Sequence, residues 1–311
     1  MPTNSIPALV VAGPTASGKT ALGVCLAQQL AGEIVSFDSV QLYRDFDIGA
    51  AKPSAAELAA VPHHLIGAAD ARHPWTAGEY ARRARPVVKD IARRGKLPVL
   101  VGGTGFYLRA LLQGLSPAPA ASESLRQKLR RRNPEQIHRL LQRLDPEAAA
   151  RIQPRDAERA IRALEVRLLT GKPMGEAWRA AAPQPWLELR PLKLGLAPER
   201  AALYQRIEAR AALMFAGGIQ AETRRLLAIY PPELRIWTSH GYKQACDIVL
   251  RGANPAAALA EAAQEQRHYA KRQWTWFRAD PDVHWLPGFG DDPAIQQAAL
   301  SAARHWLFPD H

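Results

Sequence analysis

The segment Gly13-Pro14-Thr15-Ala16-Ser17-Gly18-Lys19-Thr20 limits what this chain can fold into more than any other. It has the G-x-x-x-x-G-K-T spacing and directly follows the apolar run Ala8-Leu9-Val10-Val11-Ala12. It opens a helical pattern with Leu22, Cys25, Leu26 and Leu30 on one face, ending at Gly32. Strand, glycine-bounded turn and helix in that order are the context in which this spacing makes a phosphate-binding loop, or P-loop. Glycines let the backbone wrap an anion with its N–H groups inward, and the helix N-terminus adds partial positive charge. Lys19 is a point charge for an outer phosphate, and the Thr20 hydroxyl is placed to sit on Mg²⁺. Gly13 to Thr20 therefore read as the cradle of a diphosphate or triphosphate.

The neighbouring segments extend this unit into an α/β core. Glu33-Ile34-Val35-Ser36-Phe37 reads as a second strand, and Leu97-Pro98-Val99-Leu100-Val101 as a third, closed by Gly102-Gly103-Thr104-Gly105. Thr76 with Glu79 three residues on is a capping-box signature for a helix to about Gly95, with a kink or interruption expected at Pro86. Strand–helix alternation of this kind builds a parallel sheet with right-handed crossovers. From Ser122 to Leu169 the pattern becomes helical and Arg-rich, punctuated by Pro134, Pro146 and Pro154. Pro183, Pro185 and Pro191 then mark a linker before an apolar stretch, Leu192 to Leu196, read as a returning strand. Helical pattern resumes from Glu199 to about Arg278, and nothing is read from the tail beyond Pro287. The expected architecture is a P-loop NTPase-like parallel sheet core carrying an inserted helical domain. Residues 1–114 and 185–311 form the core, and residues 115–184 the insertion.

Charge points to a polyanionic partner. Among 311 residues, 41 Lys and Arg face 29 Asp and Glu, leaving a net charge of +12. The excess is uneven, with fourteen basic against eight acidic residues between Ala121 and Ala180. Thirty-two of the basic residues are Arg, which fits either a GC-rich coding bias or guanidinium forks for phosphate oxygens. Two cysteines, Cys25 and Cys246, exclude a disulfide framework and a four-thiolate zinc site. No apolar run approaches the roughly 18–20 residues of a membrane helix. Met1 to Pro7 lack a basic stretch followed by a long apolar segment, so a cytoplasmic protein without a secretory leader is expected.

Asp38, in Phe37-Asp38-Ser39-Val40-Gln41, ends the second strand. Strand C-termini line the crevice that also holds the P-loop, so Asp38 reads either as a base for a nucleophile or as a local turn aspartate. The third strand ends in Gly102-Gly103-Thr104, with no second carboxylate of the kind a P-loop ATPase uses around Mg²⁺. The cradle thus suits a phosphate that leaves as well as one that is transferred. Asp45 and Asp47 read as turn residues. His63 and His64, being adjacent on a strand, point to opposite faces and read as structural. Arg267 to Arg278 interleaves cations with Tyr269, Trp274, Trp276 and Phe277. That pattern fits RNA reading, or an amphipathic helix whose Tyr269, Trp276 and Phe277 fill the core. Arg126 to Arg132 reads as an anion-binding or a merely solvated face, while Arg159 and Arg162 share one helical face.

In combination these motifs resemble the bacterial tRNA dimethylallyltransferases, also called tRNA isopentenyltransferases. The matching residues are Gly13–Thr20, Asp38-Ser39-Val40-Gln41-Leu42-Tyr43-Arg44 with Asp47-Ile48-Gly49 and Ala51-Lys52-Pro53, and His63-His64-Leu65. They continue through Val101–Tyr107, Arg159–Glu165 with Thr170-Gly171-Lys172, Gly241-Tyr242-Lys243, Tyr269–Gln273 and Trp276-Phe277-Arg278. Ala50 stands where the family usually has Thr, Glu158 where Gln is common, and Thr238-Ser239-His240 is an unusual lead-in to Gly241. The resemblance implies transfer of the dimethylallyl group of dimethylallyl diphosphate to N6 of the adenosine immediately 3′ of the tRNA anticodon. It implies catalytic roles for Asp38, Lys19, Thr20 and Arg162, with the diphosphate on Gly13–Thr20 and Mg²⁺ on Thr20. It further implies tRNA contacts from Asp38, Ser39, Val40, Gln41, Thr104, Arg126, Glu158, Arg159, Ala160, Ile161 and Arg162. Thr238, Ser239, His240, Gly241, Tyr242, Lys243, Lys271 and Arg272 complete that set, with the anticodon stem-loop as the RNA partner and a monomer as the expected state. A small-molecule or nucleoside kinase using ATP, and a non-catalytic RNA-binding protein, are the competing readings.

Overall fold

The computed structural model describes residues 5–116, 119, 121–180 and 183–309. The chain forms two compact units, one from residues up to Leu112 together with Trp186 onward, the other from Gln113–Pro185. The first unit opens with β1 (Ile6–Ala12), α1 (Lys19–Gln29), β2 (Gly32–Ser36), α2 (Ala55–Ala60), β3 (His63–His64), α3 (Ala77–Arg93), β4 (Leu97–Gly102) and α4 (Gly105–Gln113). The second unit holds α5 (Glu123–Arg130), α6 (Pro134–Leu144), α7 (Pro146–Arg151), α8 (Ala157–Thr170) and α9 (Met174–Ala180). The chain then completes the first unit with β5 (Leu189–Leu196), α10 (Arg200–Ala216), α11 (Ile219–Leu227), a 3₁₀ turn at Arg235–Thr238, α12 (Tyr242–Arg251), α13 (Pro255–Arg278), β6 (Val283–Leu286) and α14 (Pro293–Leu307).

The strands pair in parallel in the order β3-β2-β4-β1-β5-β6. Their apolar runs are what such a sheet requires, since strands covered by helices on both faces have no solvent side to alternate with. Leu9 and Val11 of β1, Val99 and Val101 of β4 and Leu194 and Leu196 of β5 are all buried. Leu22 and Leu26 of α1 and Ile295, Ala299 and Ala303 of α14 pack on the same core. Cys25, expected on the buried face of α1, is only partly buried; Gly23 and Ala27 lie there instead. Residues beyond Pro287, from which nothing was read, supply α14, and Val283–Leu286 adds a sixth strand.

Two prolines behave in informative ways. Pro86 lies inside α3, which continues through it without the expected break. Thr76 caps that helix by accepting the Glu79 N–H at 3.1 Å, while the Glu79 carboxylate takes Arg83 rather than completing a capping box. Pro191 is part of β5 instead of the linker. It lies before Lys193, where the ladder to β6 begins, so one side of β5 is still a free edge and no N–H is missed there. Trp186 N–H donates to Leu112 O at 2.8 Å, so the points where the chain leaves and re-enters the first unit are adjacent.

At the β2–β3 edge, Glu33 is buried and accepts from Arg94 Nη2 at 2.8 Å and His64 Nε2 at 2.7 Å. His64 thus has a structural partner. The Arg94 hydrogen bonds outweigh burial and, helped by His64, hold the Glu33 pKa down at about 2. Because the folded value lies below the unfolded one, the contribution is complete above pH ~4.5 and is lost as pH falls through about 2. Urea unfolding at steps between pH 5 and 2 is expected to show a smaller acid loss of stability for Glu33→Gln than for the parent chain. Equal slopes would remove Glu33 from the acid response.

Candidate active site

The phosphate loop emerges from β1 and turns into α1 at Gly18, whose left-handed φ of 84° is the conformation glycine adopts at no steric cost. Ala16 takes a positive φ of 63° without that freedom, a local strain typical of functional loops. Lys19 Nζ donates to Pro14 O at 2.6 Å, curling the loop around its own ammonium group. Burial drives the Lys19 pKa down to about 7, partly opposed by the negative charge of Asp38 and reinforced by Arg210. An anion in the loop would restore its charge.

Two elements distant in sequence complete the cradle: Arg210, which no motif announced, and Gln273, which closes the Tyr269–Gln273 motif but carried no assigned role at the phosphate loop. Arg210 of α10 donates to Thr15 Oγ1, and to Gln266 Oε1 at 3.0 Å. Gln273 of α13 accepts the Thr15 N–H at 2.7 Å and donates to Gly103 O at 2.9 Å, tying the phosphate loop to the glycine turn after β4. Ser17 Oγ and Arg210 Nε are buried with no hydrogen-bond partner among the described residues. Such donors suit a polyanion. Thr20 makes no side-chain hydrogen bond among the described residues, so its hydroxyl is free to serve as the hard oxygen donor that Mg²⁺ prefers beside phosphate. The loop after β6 backs the cradle, with Gly290 N–H donating to Ser17 O at 2.9 Å.

Asp38 follows β2 at the same sheet end. Its Oδ1 accepts the Val40 N–H at 2.8 Å and the Gln41 N–H at 3.2 Å, while Oδ2 has no partner among the described residues. The residue is therefore both a turn aspartate and a carboxylate with a free oxygen. Burial lowers the pKa of both Lys19 and Arg210, and the negative charge of Asp38 partly opposes that shift at each, which puts Asp38 within electrostatic reach of the cradle. Thr104 Oγ1 accepts the Ser39 N–H at 3.0 Å and donates to Ser39 Oγ at 3.2 Å, joining the turns after β2 and β4. Gln41 Nε2 donates to Ala51 O at 2.9 Å. Burial, aided by the Asp38 charge, lifts the nearby Tyr269 hydroxyl to a pKa of about 12.

Other sequence-assigned positions in this unit divide into surface and core. Lys271 and Arg272 are exposed, Arg272 lying 3.5 Å from His240 Nε2. Lys243 is exposed and pairs with Glu261. Thr238 and Ser239 direct their hydroxyls to Arg235 O and Ile236 O. Tyr242 is a correction: its side chain is fully buried against Phe46 with its hydroxyl on Glu222, so it offers no surface to RNA. On α13 the buried rings are Trp274 and Phe277, whereas Trp276, expected in the core, is exposed.

In the helical unit, Glu165 is the organising residue. Its side chain is 0 % exposed and accepts Ser122 N–H at 2.7 Å, Arg126 Nε and Nη2 both at 3.0 Å, and Arg162 Nη1. Burial alone would raise its pKa, but these hydrogen bonds prevail and leave it below the ordinary carboxylate value. Arg126 and Arg162, assigned to RNA or diphosphate, are thus engaged with Glu165 within the helical unit. Ala160 and Ile161 are also corrected, being core residues packed with Leu141 and Leu164. Glu158 and Arg159 remain on the surface, Arg159 with a side chain 73 % exposed.

A parallel sheet in this order, a cationic phosphate loop at its C-terminal edge and a carboxylate beside it define a P-loop group-transfer enzyme. The chain belongs to the IPP transferase family, which matches residues 41–280, with residues 6–72 matching the isopentenyl transferase family. A tRNA dimethylallyltransferase of Koribacter versatilis is 52% identical over 295 residues, covering 94% of this chain and 96% of the relative. The structure of a tRNA isopentenylpyrophosphate transferase from Bacillus halodurans is 32% identical with a TM-score of 0.70, covering 99% of this chain and 100% of that one. A eukaryotic dimethylallyltransferase captured acting on tRNA gives a TM-score of 0.81 at 25% identity, covering 97% of this chain and 80% of that one. Among the described residues no helix is long and apolar enough to cross a membrane.

Proposed function

We propose that this chain is a tRNA dimethylallyltransferase that moves the dimethylallyl group of dimethylallyl diphosphate to N6 of the adenosine immediately 3′ of the anticodon. The carrying observation is Asp38, a carboxylate with one oxygen unpartnered among the described residues, at the sheet end that holds the phosphate loop, with no acid directly following β4. That pairing suits a diphosphate that departs and a weak nucleophile that must be deprotonated.

The adenine N6 lone pair is delocalised into its ring. Asp38 Oδ2 accepts one N6 proton, fixing the direction of the amine and strengthening its attack on C1 of the allyl group. As the N6–C1 bond forms, the C1–O bond to diphosphate breaks and the electron pair leaves with the diphosphate. Lys19, Arg210 and the inward N–H groups of the loop stabilise the growing charge. Thr20 would hold Mg²⁺, whose charge, when bound, further neutralises the departing diphosphate. The adenosine must leave the loop stack to reach this crevice, which costs a few kcal/mol. Lys271 and Arg272 meet the RNA phosphates.

Incubation of the purified chain with unmodified tRNA and Mg²⁺, using either allyl-labelled dimethylallyl diphosphate or γ-labelled ATP, tests the reading. Label is expected in tRNA from the allyl donor only. Phosphate transfer from ATP would establish a kinase, and transfer from neither donor would leave only RNA binding.

A further inference from the structure

Helix α13 carries its aromatic residues on two sides. Trp274 and Phe277 are buried, but Trp276 is 37 % exposed. Its ring lies on the backbone of Gly105, where an added Cβ would come within 2.0 Å of Trp276 Cδ1, so only glycine fits beneath it. The next residue, Phe106, is 44 % exposed and meets Trp276 edge-on, with centroids 6.4 Å apart and planes at 79°. Arg109, one turn further along α4, holds its guanidinium 5.3 Å from both ring centroids. Single exposed rings are ordinary, but two large rings joined by a shared cation form a contiguous surface with its own chemistry.

The platform is anchored to the active site through both of its chain segments. Phe106 lies two residues after Thr104, which binds Ser39 beside Asp38. Trp276 lies three residues after Gln273, about 4.5 Å along the helix axis, and Gln273 grips the phosphate loop at Thr15. The same helix exposes Lys271 and Arg272.

We propose that Phe106, Trp276 and Arg109 form a stacking subsite for an unpaired nucleobase of the RNA, one adjoining the base that is modified. The inference rests on the reading that RNA is the acceptor. Pulling one base out of a loop strips its neighbours of a stacking partner, and an aromatic ledge with a flanking guanidinium replaces it.

The test uses the full chain and an anticodon stem-loop RNA with 2-aminopurine placed, in turn, on each side of the target adenosine. Trp276→Leu and Phe106→Leu keep apolar bulk but remove a ring; Trp276→Phe keeps a ring. The leucine variants are expected to bind RNA about tenfold or more weakly and to lose 2-aminopurine quenching at one of the two positions. The salt dependence of binding and KM for dimethylallyl diphosphate are expected to be unchanged, with Trp276→Phe recovering most of the affinity. Should Trp276→Leu fail to fold, the more exposed Phe106 position carries the test. Parental affinity and quenching in the leucine variants would overturn the subsite, as would a rise confined to KM for the allyl donor, which would make the rings a wall for the prenyl chain. A parent chain that binds no RNA would instead overturn the function above, and this inference with it.

Discussion

Asp38→Asn is expected to give a folded protein that binds tRNA within a few-fold of normal and transfers the allyl group about 10²–10⁴-fold more slowly. Asparagine is the informative change because Asp38 has two duties on two oxygens. Oδ1 closes the turn by accepting the Val40 and Gln41 N–H groups, a role an amide oxygen can fill. Oδ2, unpartnered among the described residues, is the oxygen proposed to take the N6 proton, and an amide nitrogen there cannot do so. Asp38→Ala removes both and is expected to lose activity and some thermal stability together. Single-turnover transfer at saturating RNA and donor, read beside RNA affinity and a melting curve, separates these effects. An active Asn variant would reduce Asp38 to its turn.

Glu165→Ala is expected to destabilise the helical unit by about 3 kcal/mol, the low end of what breaking a buried ion pair costs. The low end applies because Arg126 and Arg162 retain side-chain exposures of 26% and 30% and regain some hydration. Urea unfolding of the full chain, with hydrogen exchange followed in α5 and α8, locates the loss. Unchanged protection of those helices would deny Glu165 its organising role. Arg126→Ala is then a structural mutation first, and weaker RNA binding by it would not by itself identify a phosphate contact.

These two carboxylates also mark where sequence reading succeeds and where it stops. The β1–loop–α1 segment was legible because its strand, nest and helix are contiguous, and each residue type answers a local demand of backbone or charge. Asp38 was legible as a position at a strand end, but its division of labour between two oxygens needed coordinates. Arg210 was invisible and Gln273 was legible only as the end of a motif with no stated partner, since both reach the phosphate loop from some 190 residues or more away. Glu165 looked like one more charge in an Arg-rich stretch, because burial is a tertiary property. Trp274 and Trp276 differ by two residues, about 200° around a helix, and pattern alone chose the wrong one for the core. Helix α14 escaped notice because small alanines cover much of its buried face, giving weak contrast between its sides.

The hydrogen bond from Trp186 N–H to Leu112 O has an evolutionary corollary. A chain that departs and returns at a single stitch leaves its host sheet indifferent to how many residues travel between. Lengthening such an excursion adds closure entropy only logarithmically, roughly 0.6 kcal/mol for each doubling. The helical unit is therefore free to be trimmed, extended or exchanged while the host sheet keeps its register.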